Sequence, residues 1–257
     1  LARAASAASL EGFNAFVDQV LGTSHVRGAF FGNYSEADVR GVYELLSTAV
    51  SASASARYAR SNIYAPKPAT TLLLNREVPV EDLGILYAFA APEASVKNQA
   101  LSQILARHLR VRAFETLRTE EQLGYAAGGG ALDLYKHPMV ILYIQTPVKG
   151  PQEMLDRFTA YTEEYRDELA ALPEASFEKF KAGVLTALTE PPKNLSAEAG
   201  PFVSDWAIEH YDFDTRAKLI AAVNAATLQD VQRFYEETVF SEASSRIVIQ
   251  LRGKRYS

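Results

Sequence analysis

Between residues 95 and 134 the apolar pattern of this chain changes period, and that change constrains the fold more than any other feature of the sequence. Leu101, Ile104, Leu105 and Leu109 recur at helical spacing behind Ser95, whose short polar side chain suits an N-cap, so a helix is expected over 95–117. From Leu123 the pattern becomes extended and runs to about Leu134. Gly124, free to take backbone angles that other residues avoid, is the expected turn out of the helix. Arg118 and Tyr125 therefore flank a helix-to-strand junction and are expected to project from one corner of a sheet.

The rest of the pattern places strands at 71–75, 83–91 and 139–146, the last joined to the strand near 123–134 by a longer loop, Tyr135-Lys136-His137-Pro138. Helices are expected at 36–50, 151–170, 174–189, 197–210 and 214–223, with a final one after Thr227. Strands and helices clustered in this way favour an α+β fold, a layered antiparallel or mixed sheet packed by helices, over a doubly wound parallel sheet. With 257 residues and 48% hydrophobic content, the chain can bury a sizeable core.

An internal repeat suggests how the chain divides. Ser9-Leu-Glu-Gly-Phe-Asn-Ala-Phe-Val17 matches Thr227-Leu-Gln-Asp-Val-Gln-Arg-Phe-Tyr235 in its cap, its leucine and its apolar spacing. Each is expected to lead to a strand, residues 25–31 in the first case and 246–251 in the second. The expectation is that residues 1–60 complete a preceding α+β repeat and that 67–257 form a whole second copy. The boundary falls in the low-complexity run Ser51-Ala-Ser-Ala-Ser-Ala56, followed by Pro66 and Pro68. The opening Leu1-Ala-Arg-Ala-Ala-Ser6 is not a signal peptide and has no initiating methionine, so the chain is expected to be part of something longer.

Several chemistries are excluded by residue type and spacing. There is no cysteine, which removes thiolate metal sites and thiol nucleophiles. Of the four histidines, His25, His108, His137 and His210, no two stand three to five residues apart, so neither His-Glu-x-x-His nor its inverse is present. The triplet Gly128-Gly129-Gly130 is followed by no Lys-Ser/Thr and belongs to no Gly-x-Gly-x-x-Gly, so it reads as a narrow strand segment that another chain can approach, not a phosphate cradle. The net charge of −5 and the lack of a basic stripe argue against nucleic acid, and no apolar run is long enough to span a membrane. Asp205, Trp206, Glu209 and His210 read as a helix face packed by the single tryptophan.

The run Phe114-Glu-Thr-Leu-Arg118-Thr-Glu-Glu-Gln-Leu-Gly-Tyr125 resembles a signature in the C-terminal half of the pitrilysin and insulin-degrading-enzyme family of zinc peptidases. Gly32-Asn33 before a Ser-initiated helix, and the segment from Asn75 to Pro92, resemble the same family in the same order. The resemblance spans almost the whole chain. It implies the metallohydrolase fold of the mitochondrial processing peptidases and a half that does not hold zinc. Arg118 and Tyr125 would then reach toward the carbonyls of a bound peptide, with Phe114 either in the core or in a substrate pocket. Zinc and the general base would come from an N-terminal half, on the same polypeptide or on another, and the present chain alone would be inactive. The chain departs from commoner members at Ala126-Ala127-Gly128, where bulkier apolar residues are usual, and this bears on which side chains are accepted.

Without the resemblance, Arg118 beside Glu120 and Glu121 reads as a solvated helix-end charge, and Tyr125 as a half-buried strand residue with its hydroxyl at the surface. Two other readings of the chain stay open on the residues: a structural subunit like the core proteins of respiratory complexes, and a free-standing peptide-binding module. The resemblance to bacterial members of that family implies a periplasmic location, while the absence of cysteine suits the cytoplasm equally.

Overall fold

The computed structural model describes residues 8–24, 26–50 and 66–256, which divide into two units. In the larger unit, described over 66–192 and 207–256, five strands form one mixed sheet: β1 (Thr71–Glu77), β2 (Leu83–Ala90), β3 (Ala126–Leu134), β4 (His137–Thr146) and β5 (Ser245–Arg252). Their order is β1-β5-β2-β4-β3, with only the β1/β5 pair parallel, so β1 and β3 are the two edges. The C-terminal strand is thus inserted between the first two strands of the unit.

The sheet's two faces follow from strict alternation. Leu83, Ile85, Tyr87 and Phe89 of β2, with Val140, Leu142 and Ile144 of β4, point into the main core. Leu86, Ala88 and Ala90 point the other way and meet Met139, Ile141 and Ile247 in a small second cluster. The main core is closed by α3 (Val96–Ala113), α4 (Pro151–Ala170), α5 (Glu174–Thr189), α7 (Thr215–Ala225) and α8 (Leu228–Tyr235). In α4, Met154, Phe158, Tyr161, Tyr165 and Leu169 are all buried at three- and four-residue spacing. Complete burial of a side chain such as Phe158 contributes about 1.5–3 kcal/mol. This is the α+β layered fold expected from the pattern.

The observed helix boundaries have local causes. Ser95 caps α3 by accepting the Asn98 N–H, and Thr227 and Asp230 form a reciprocal capping box on α8. Pro151 sits at the start of α4, with the Glu153 carboxylate accepting the Gly150 N–H at 2.9 Å. The β3–β4 connection differs from the expected longer loop. It is a two-residue turn with Tyr135 and Lys136 both left-handed, at φ 50° and 69°. Tertiary bonds hold this uncommon choice: Gln99 Nε2 donates to the Lys136 carbonyl at 2.9 Å, and Lys136 Nζ donates to Thr215 Oγ1 at 3.0 Å.

The smaller unit, described over residues 8–24, 26–50 and 193–206, contains α1 (Leu10–Thr23), α2 (Glu36–Ala49) and most of α6 (Leu195–Ala207). Phe31 stacks on Phe202 with ring centroids 5.4 Å apart, and the Arg27 guanidinium lies 4.9 Å from the Trp206 ring while Nη2 donates to the Trp206 carbonyl. Residues 193–206 therefore group with the N-terminal segment, although the chain pattern assigned them to the second copy. Residues 26–31 form no strand, because extended backbone counts as one only where a neighbouring strand supplies a ladder. His25 and the Ser51–Ala56 run lie outside the described residues.

Candidate functional site

The signature run does not continue α3 as ordinary helix. From Phe114 to Glu120 the backbone widens into a π-helix, with the Glu121 N–H donating five residues back to the Thr116 carbonyl at 3.0 Å. Leu117 is fully buried and Leu123 nearly so, and the Leu123 N–H donates to the Leu117 carbonyl at 3.0 Å. The loop is thereby closed and pinned on two core leucines. Arg118 stands on its helical side, and Tyr125 directly before β3.

Both residues face solvent. Tyr125 is 61% exposed, and Arg118 is exposed with its guanidinium 4.6 Å from the Phe114 ring centroid. Phe114 itself is 42% exposed, so it belongs to the surface of the junction and not to the core. An aromatic face beneath a guanidinium restricts it by a cation–π contact worth about 0.5–1 kcal/mol when exposed.

The turn is made differently from the expectation. The left-handed residue is Gln122, at φ 53°, and not Gly124. A non-glycine residue held there costs on the order of 1 kcal/mol. Gly124 is needed for close approach instead: a β-carbon on it would lie 2.1 Å from the Gln145 carbonyl oxygen of β4. Gly129 plays a similar part in β3, where a β-carbon would come within 2.7 Å of Leu109 Cγ, so this glycine lets α3 settle against the sheet. The approaching chain that the glycine triplet admits is therefore α3 of the same molecule.

Beside Tyr125 in sequence, Ala126 helps line an apolar recess of about 280 Å³ on the open face of the sheet, with Gly84, Leu86, Tyr143, Ile249 and Leu251. The small residues Gly84 and Ala126 leave the space; Tyr143 and Leu251 are 40% and 41% exposed.

The described histidines serve other purposes. His108 is buried in α3, with Nδ1 3.0 Å from the Tyr165 hydroxyl; burial, then the nearby Arg112 charge, lower its pKa to about 4, so the ring is neutral at pH 7. His137 Nε2 meets the Ala91 carbonyl at 2.9 Å. His210 lies beyond the end of α6 and not on a helix face, with Nε2 2.8 Å from Asp214 Oδ1. Among the described residues, His210, Asp212 and Asp214 are the one grouping of three metal-capable side chains, with ligand atoms within 4.8 Å. Asp214 already accepts from His210 and is paired with Lys218 Nζ at 2.9 Å, which together hold its carboxyl below the usual carboxylate range. This loop, half-open to solvent with an ammonium on one ligand, is unlike a zinc site with three strong ligands.

Comparison with known proteins gives a consistent answer. Residues 104–203, which include the whole junction, match the family described as PQQ synthase PqqF-like, C-terminal lobe domain 4. The A-factor-processing enzyme of Saccharomyces cerevisiae is 29% identical over 155 residues, covering 60% of this chain and 15% of the enzyme. Human insulin-degrading enzyme is 22% identical over 253 residues, covering 93% of this chain and 24% of its own length. These similarities are to the C-terminal half of the pitrilysin and insulin-degrading-enzyme family. The fold agrees: the pitrilysin crystal structure superposes with a TM-score of 0.79 at 22% identity, over 87% of this chain and 24% of pitrilysin. A peptidase M16 inactive domain from Pseudomonas fluorescens superposes with a TM-score of 0.60 at 12% identity, over 88% of this chain and 53% of that one. The chain spans about a quarter or less of the length of these curated relatives.

The sequence singled out Arg118 and Tyr125, which the structure places, both exposed, on either side of the junction. It did not single out Arg157, which reaches the junction from α4, 36 residues beyond Glu121. No local pattern marks such a partner, since an arginine on a helix surface looks the same whether or not a carboxylate from another element meets it.

Proposed function

We propose that this chain is the substrate-binding, catalytically inactive half of a zinc metalloendopeptidase of the pitrilysin and insulinase type. The observation that carries the reading is that Arg118 and Tyr125 are exposed donors on a junction pinned by Leu117, Leu123 and Gly124. An exposed charge with a merely solvating role needs no such anchoring. A guanidinium and a phenol hydroxyl fixed in this way can donate to the carbonyl oxygen of a bound peptide as water adds and negative charge develops. One such preorganised donor is typically worth about 3–4 kcal/mol in the transition state.

In this reading an N-terminal half holds the zinc and the general base, and the two halves close a chamber around the peptide. The described histidines here, each engaged elsewhere, fit that division. The described N-terminal residues would complete a preceding repeat domain. Leu10, Phe13 and Phe16 on one side of α1 are 76%, 59% and 61% exposed, as expected of a helix face whose partner lies elsewhere in the polypeptide. The apolar recess beside Ala126 would add a wall suited to an uncharged side chain of the peptide.

The test is reconstitution. The isolated chain is expected to hydrolyse no fluorogenic peptide, and the polypeptide carrying both halves is expected to do so in a chelator-sensitive manner. Chelator-sensitive turnover by the isolated chain would contradict the division of labour.

A further inference from the structure

Helix α4 holds the junction at both ends. At the near end Arg112, in the last turn of α3, pairs with Glu115 of the π-helix and with Glu168 of α4. At the far end Arg157 of α4 grips Glu121, the residue that ends the π-helix. Its Nε donates to the two Glu121 oxygens at 3.1 and 2.8 Å. Its Nη1 and Nη2 also donate to Glu164 at 3.1 and 2.9 Å. The Arg157 and Glu121 side chains are 17% and 28% exposed, so this pair is better sheltered than the exposed Arg40–Glu36 pair, at 72% and 78%. A planar guanidinium fixes direction as well as distance when it meets a carboxylate through two bonds.

The residues just after Glu121 give the grip its importance. Gln122 is left-handed, Leu123 is buried and Gly124 is pressed against Gln145, so the stretch linking Arg118 to Tyr125 has little slack. Strained conformations of this kind persist only where surrounding contacts over-determine them. Arg157 fixes the direction of the Glu121 side chain from a separate helix.

We propose that Arg157 is a positioning residue for the Arg118/Tyr125 pair: by holding Glu121 it sets the relative placement of the two donors. The inference rests on the function proposed above and adds to it a residue that touches no substrate. Displacing a donor by about 1 Å is enough to cost on the order of a hundredfold in rate, so loosening this link should act on turnover.

The experiment uses the polypeptide containing both halves, a fluorogenic peptide, and the variants Arg157→Gln, Arg157→Lys and Glu121→Gln. Arg157→Gln is expected to lower kcat by roughly ten- to hundredfold with KM changed less than about threefold, and Arg157→Lys, which keeps the charge and loses the fork, should fall between. In an Arg118→Ala background the same Arg157→Gln change should have a smaller effect than in the wild type, because only the Tyr125 donor is left to be misplaced. Amide exchange of residues 121–125 should quicken in each single variant at unchanged buffer conditions. If Arg157→Gln folds poorly, Glu121→Gln carries the same test, since it weakens the pair from the other side with an isosteric group. Unchanged kcat in the Arg157 and Glu121 variants, beside a large loss in Arg118→Ala, overturns the positioning role and leaves the proposed function standing. Loss of neither rate in Arg118→Ala nor in Tyr125→Phe overturns the proposed function. In that case unaltered exchange at 121–125 in Arg157→Gln removes the positioning role as well.

Discussion

Gly124 lies so close to Gln145 that a β-carbon on it would sit 2.1 Å from the Gln145 carbonyl oxygen. This contact joins the end of the junction to β4, the strand next to the edge, and no larger residue fits without moving backbone. Gly124→Ala should destabilise the fold by about 1–3 kcal/mol, the range for forced overpacking. Gly130→Ala, where a β-carbon meets nothing within 4 Å, should be neutral or stabilising by about 0.5 kcal/mol. Thermal melts of the two variants check the contrast, and equal effects would mean that the close approach is not what requires glycine at 124.

Phe114 carries the Arg118 guanidinium over its ring at 4.6 Å and is itself 42% exposed. Phe114→Ala should therefore cost under about 1 kcal/mol in stability, far below the 3–5 kcal/mol of a core phenylalanine. Turnover in the intact enzyme should fall, but less than in Arg118→Ala, because the guanidinium remains and only its support is lost. A core-sized loss in a denaturant titration would return Phe114 to the interior.

His108 predicts an acid-side stability slope. Its folded pKa is lowered from 6.5 to about 4, so between these values the unfolded chain binds a proton that the folded chain does not. The stabilisation is complete above about pH 6.5 and drains as pH falls toward 4, amounting to roughly 3 kcal/mol at most. The Glu168 carboxylate, 3.6 Å from Nε2, does not reverse the direction, because it is paired with Arg112. Melting temperatures from pH 8 to 4 should converge for the wild type and His108→Gln as pH falls, since the variant lacks this proton uptake. Parallel curves would contradict a neutral buried imidazole.

Most elements were legible because their causes are local. Ser95, Thr227 and Pro151 mark helix starts, and the apolar alternation of β2 and β4 marks a sheet with one face in the core. The π-helix was not legible, since Leu109, Ala113 and Leu117 satisfy an ordinary helical period equally well and the widening appears only when the chain must close on Leu123. The left-handed Gln122 and the tight Tyr135-Lys136 turn likewise go against the preference of their residue types, and the turn is held by Gln99 from far along the chain. At the candidate site, Arg118, Tyr125 and Phe114 were singled out through the signature and all three lie at the surface of the junction, while the Arg157–Glu121 contact left no mark in the sequence because it joins two separate elements.

The central claim is that Arg118 and Tyr125 stabilise charge on a substrate carbonyl that another half of the enzyme attacks. It is tested most directly by steady-state kinetics of Arg118→Ala and Tyr125→Phe in the intact enzyme, with melts alongside. Each should lower turnover by roughly ten- to thousandfold, with stability changed by under about 1 kcal/mol, because each removes a donor used most strongly in the transition state. Unchanged turnover in both correctly folded variants would contradict the account and leave Arg118 and Tyr125 as ordinary surface residues.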